Sequence, residues 1–156
     1  MSEPSFQLWF AVRYVHVAAV GLMAGGATLL AAWCLTPRAA ASAAPALAAA
    51  PIYEWTFWLL VGLVAVTGVS NLGLKGEGLM SPATSWGRAL TTKLAAVLTL
   101  LAVSLVRSDF VIRWGAALRP VVSNRARTVA GALYAATVAI LLAAMWIGLG
   151  LAHGRY

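Results

Sequence analysis

Four apolar runs, each about as long as a helix needs to cross a bilayer, dominate this 156-residue chain. A span takes roughly 20 consecutive apolar residues. Here 62% of residues are apolar and 10% are charged, whereas a soluble domain carries about 25% charged residues. The chain therefore lacks the polar surface that water demands. The sequence predicts one all-α integral membrane domain over residues 1–156, a four-helix bundle with spans at about 11–35, 53–74, 88–106 and 128–151. The formal net charge of +7 does not point to nucleic acid. The arginines fall between the apolar runs, where they act on orientation and on anionic lipid head groups.

Local signals divide the runs. Met1 to Phe10 carry no lysine or arginine, and the run from Tyr14 to Leu35 exceeds the roughly 7–15 residues of a signal-peptide core; it is read as a retained helix. Pro37 ends it. The alanine tract 39–51 is read as a loop or a short interfacial helix. Tyr53, Trp55, Phe57 and Trp58 look like an interfacial aromatic belt, with Glu54 favoured by the dipole of a first helical turn. Thr67-Gly68-Val69-Ser70-Asn71 is a polar patch suited to helix packing or to lining a site. Glycine and proline make 75–88 a loop, with Ser85 a candidate cap for the third helix. Lys93, Val97, Leu100, Ser104 and Arg107 share one helical stripe, expected to face the bundle. Within 107–127, Phe110, Val111, Trp114 and Leu118 predict a short amphipathic interfacial helix between the third and fourth spans. Gly21 with Gly25, a notch that Gly26 widens, and Ala132, Ala136, Ala139 and Ala143, are candidate close-packing seams. Cys34 is the sole cysteine, so no intrachain disulfide forms.

The chemistry concentrates at Arg13-Tyr14-Val15-His16. An ionisable group inside a span needs a partner and marks a functional site. Four spans return the chain to its starting side, so His16, Lys93, His153 and loop residue Met80 fall at one membrane level, with Arg13 one turn from His16. Met23 lies two turns beyond His16 on the same helix face. Counting lysine and arginine near the span ends, the 107–127 segment is dense in arginine, which predicts that it is cytoplasmic and that both termini are outside. The sequence offers no paired carboxylates, no nucleophile beside a base and no phosphate-binding glycine loop.

The pattern Arg13-Tyr14-x-His16 leading into Gly25-Gly26, with Pro37 after it, resembles the first helix of the copper-resistance D (CopD) membrane domain. Thr67-Gly68-Val69 with Asn71 resembles the end of that domain's next helix. Lys93-Leu94 opening a run that closes near Arg107-Ser108-Asp109-Phe110 resembles its third. A histidine in the first helix with a lysine opening the third is also similar to HemJ-type protoporphyrinogen oxidases, which bind a b-type haem through that histidine. The first resemblance implies copper binding or transport at an outward-facing site of His16, Met23, His153 and Met80, since histidine and methionine suit copper. The second implies haem b with His16 as an axial ligand, His153 or an open position opposite, and Arg13 and Lys93 near the propionates; any enzymatic activity would be a haem-dependent oxidoreduction. Both imply a bacterial inner (plasma) membrane. A third expectation is a non-catalytic subunit, partnered by other membrane proteins or by copies of itself. Copper handling stands slightly first on the extent of the resemblance.

Overall fold

The computed structural model describes residues 3–36, 43–73, 83–116 and 124–152. They form four helices: α1 (Glu3–Leu35), α2 (Ala43–Gly73), α3 (Ser85–Ala116) and α4 (Asn124–Ala152). No strand occurs among the described residues. Each helix contains a stretch long and apolar enough to cross a membrane: Phe6–Leu35, Ala49–Asn71, Ser85–Arg113 and Asn124–Leu151. In chain order the helices form an antiparallel bundle in which α1 packs along α2 and α4, α4 also packs along α3, and α2 and α3 meet over less of their length.

Two apolar clusters fill the interior. Val20, Met23, Phe57, Leu100 and Leu141 form one; Ala27, Leu30, Ala31, Ala50, Val111 and Tyr134 form the other. The outward faces are apolar as well, with Leu22, Leu29, Trp55, Leu59, Val66, Leu98 and Trp146 all exposed. A bundle that is apolar inside and out suits lipid rather than water.

The boundaries differ from the sequence reading in ways with physical causes. The alanine tract joins α2, which begins at Ala43 and runs through Pro51. Proline reads as a break, yet membrane helices tolerate one because neighbouring groups re-satisfy the freed backbone. No separate interfacial helix lies between α3 and α4 among the described residues. α3 instead continues through Arg107 and Arg113 to Ala116. It continues because Arg107 has a buried partner and Arg113 pairs with Asp109 one turn earlier at 2.8 Å; residues 117–123 lie outside the described residues. The cap of α3 is Thr84, not Ser85: its hydroxyl accepts the Gly87 amide at 3.0 Å.

The packing seams also move. Gly21 and Gly25 have open space where a side chain would stand, whereas Gly26 receives the ring of Tyr53. A Cβ at position 26 would lie 2.5 and 2.7 Å from two Tyr53 ring carbons. The Tyr53 hydroxyl donates to the Met23 carbonyl at 2.8 Å, so the ring is tied to α1 and has little room to withdraw. Gly26→Ala is therefore expected to cost about 1–3 kcal/mol, as overpacked cores do, read as a lower unfolding midpoint in detergent; Gly25→Ala should change it little. On α4 the buried face is Arg127, Ala130, Gly131, Tyr134, Thr137 and Leu141, while Ala132, Ala139 and Ala143 are exposed. Arg127 donates to the Thr36 carbonyl at 2.9 Å and to the Cys34 carbonyl at 3.3 Å. It thereby satisfies carbonyls at the end of α1 that have no helical partner.

Candidate functional site

Besides Arg127 at the end of α1, polar side chains gather inside the bundle around two levels. Along α2, Glu54 and Thr67 mark them, about 20 Å apart at the roughly 1.5 Å rise of a helical residue. Each level draws residues from separate helices.

The first level centres on an ion pair that the sequence reading missed. Glu54 on α2 is 5% exposed and Arg107 on α3 is fully buried. The guanidinium grips the carboxylate with both branches: Nε to Oε1 at 2.9 Å and Nη2 to Oε2 at 3.1 Å. Its third nitrogen, Nη1, donates to Thr137 Oγ1 of α4 at 2.6 Å. Tyr134 donates to Glu54 Oε1 at 3.0 Å, and the Ser108 hydroxyl donates to Oε2. Trp58 donates in turn to Ser108 at 3.0 Å. Three rings surround the cation, with the guanidinium carbon 4.3 Å from the Phe57 ring centre, 5.1 Å from Tyr134 and 5.3 Å from Tyr53. The expected aromatic belt is thus mostly internal, since Tyr53, Phe57 and Trp58 line this network and only Trp55 faces outward. Bidentate geometry, added hydrogen bonds and aromatic faces are what make a desolvated arginine–carboxylate pair tolerable.

Could the sequence have shown this? Glu54 and Arg107 both stand within candidate spans. An intramembrane carboxylate demands a cation. The stripe on α3 already turns Arg107 toward the bundle, but Glu54 in a first turn at the membrane surface asks for no partner. The true α2 start at Ala43 and the true α3 end at Ala116 restore that demand.

The second level holds His16. It lies on α1, half-buried, with Nδ1 2.8 Å from Thr67 Oγ1 on α2. Thr67 is buried, and its own proton goes to the Leu63 carbonyl at 2.7 Å. Gly68 brings the α2 backbone against the imidazole: an added Cβ would lie 3.6 Å from His16 Cε1. Lys93 on α3 is half-buried. Its Nζ rests against α4, 3.1 Å from where a Cβ of Gly148 would stand. All four helices thus contribute to one layer of histidine, threonine, lysine and two glycines.

Of the residues expected at the site, His16 and Lys93 stand at this level, His16 against α2 and Lys93 against α4. Arg13 is half-buried and directs its guanidinium over the Trp9 ring, 5.2 Å from its centre. Met23 is 1% exposed and packs among Val20, Phe57, Leu100 and Leu141. It stands about 10 Å from His16 along α1, by helical rise. His153 and Met80 lie outside the described residues. Among the described residues no group of three or more His, Cys, Asp or Glu side chains is placed to hold a metal ion. The stripe on α3 faces the interior: Leu100, Ser104 and Arg107 are buried and Lys93 and Val97 are half-buried.

Comparison of the chain with protein-family models, with curated proteins and with solved structures finds no match.

Proposed function

We propose that this chain is a polytopic membrane protein that holds a b-type haem through His16, for electron transfer or for oxidation of a small molecule. The observation that carries this reading is the layer joining His16, Thr67, Gly68 and Lys93. One imidazole nitrogen is engaged by Thr67, which leaves the other as a ligand. Haem iron takes axial histidine, and bundle interiors commonly house the ring. Lys93 has the charge to pair with a propionate, and Arg13 lies one turn from His16 on the same helix. His153, close after α4, would supply a second axial ligand or leave the position open. When bound, the haem would supply one-electron chemistry; the protein's residues orient the ligand, neutralise the propionates and exclude water.

Copper binding or transport, the leading expectation from the CopD resemblance, draws less support. Met23 is enclosed by apolar side chains well away from His16. A role as a non-catalytic subunit, alone or as a homo-oligomer, is compatible with either ligand.

The same reading places both termini outside a bacterial plasma membrane and the segment between α3 and α4 in the cytoplasm. Arg113, Arg119 and Arg125 would meet anionic lipid head groups there, an amphipathic stretch included. Arg107 and Arg127 do not belong to that count, because both are buried in internal bonds.

The test is the absorption spectrum of protein purified after expression with ample haem, run beside a copper analysis of the same sample. A Soret band at near one haem per chain is the expected result. Bound copper with no Soret band would reverse the order of the two readings.

A further inference from the structure

We infer that Thr67 is the positioning residue of the His16 site, fixing the imidazole in the tautomer with its proton on Nδ1 and its lone pair on Nε2. This rests on the haem reading for its ligand, while the tautomer itself stands without one.

The inference follows from counting protons. A threonine hydroxyl has one proton to donate and two lone pairs to accept with. In a helix it commonly returns that proton to the carbonyl four residues back. Thr67 does so, reaching Leu63 at 2.7 Å, with the Val64 carbonyl next nearest at 3.2 Å. Toward His16 the hydroxyl can then only accept. The 2.8 Å contact to Nδ1 therefore requires a proton on Nδ1. A neutral ring so anchored carries its lone pair on Nε2, at the far side of the imidazole. The nitrogen that bears the proton is set by the bond that the other one makes.

The next residue complements this. Gly68 meets Cε1, the ring carbon between the two nitrogens, with no side chain of its own. An alanine methyl would reach ordinary contact there at 3.6 Å, and a larger side chain would press on the ring edge leading to Nε2. Threonine at 67 thus orients the imidazole, and glycine at 68 keeps its ligand edge clear. Residues that donate to or accept from a metal-bound histidine in this way change ligand affinity by roughly 10–100-fold when removed.

The test uses the full chain in lipid nanodiscs with 15N-labelled histidine. The His16 signals are assigned by their absence in His16→Gln. In haem-free wild type the expected result is a protonated Nδ1 and an unprotonated Nε2. Thr67→Val keeps the shape of the side chain, so the bundle should fold, but it has no acceptor; the expected result is a mixture of tautomers. Thr67→Ser should restore the wild-type pattern. In a haem titration, Thr67→Val should bind about 10–100-fold more weakly and Thr67→Ser within a few-fold of wild type. Wild type with its proton on Nε2, or Thr67→Val with an unchanged tautomer, would overturn the inference. If the tautomer behaves as stated while neither protein binds haem, the positioning role stands and the haem reading fails.

Discussion

Replacing Arg107 with methionine should destabilise the bundle by about 3–5 kcal/mol, the range found when one partner of a buried ion pair is removed. The Glu54 carboxylate would remain 5% exposed with hydrogen bonds from Tyr134 and Ser108 but no counter-charge. Glu54→Leu should cost a similar amount, because it strands a guanidinium that is fully enclosed by Tyr53, Phe57 and Tyr134. The two changes made together should be much milder than their sum. An apolar pair of similar volume often replaces a buried ion pair at little cost, and residues in direct contact are not additive. The measurement is a double-mutant cycle on unfolding midpoints in a mild detergent. Additive losses would show that the two side chains do not act as a pair. The network also ties α3 to α2 and α4 at the level where Tyr53 holds α1, so loss of Arg107 should loosen the set of helices rather than one seam.

The second large effect concerns the ligand. His16→Ala should abolish stoichiometric haem binding. The only imidazole among the described residues is His16, and Met23, two turns further along α1, packs in an apolar cluster. Lys93→Ala should weaken binding rather than remove it, since a propionate partner positions the ring without bonding to iron. Both variants are expected to fold. His16 is half-buried at the α1–α2 seam, and the Glu54–Arg107 network lies about 20 Å away along the bundle by helical rise. The check is the haem content of each purified variant against its unfolding midpoint. An Ala variant that keeps its haem would remove His16 from the ligand set.

How much of this was legible in the residues varies with the physics of each feature. The four helices followed from run length, because nothing but a helix of that length hides its backbone over such apolar stretches. The shared level of His16 and Lys93 followed from the four-span connectivity alone. Thr67 was visible as part of a polar patch, but not its contact with His16, since periodicity within one helix does not say which neighbour it faces. Arg107 is legible on the bundle-facing stripe of α3, but its pairing with Glu54 is not. Proline 51 and the arginine-rich stretch after residue 106 both looked like helix boundaries, and a charge assigned to a boundary needs no partner. Aromatic residues near a span end usually face the interface, yet Tyr53 and Phe57 lie against the Arg107 guanidinium and Trp58 bonds to Ser108. Gly26 rather than Gly21 or Gly25 takes the close contact, which depends on the position of the Tyr53 ring and on no feature of α1 itself.

Whether His16 Nε2 ligates a haem iron is read most directly from the reduced-minus-oxidised spectrum of wild type and His16→Ala purified side by side. Wild type should show the sharp α and Soret bands of a b-type haem at about one per chain, and His16→Ala should show neither while unfolding at a similar temperature. A wild-type protein without those bands, or a variant that retains them, would contradict that ligation.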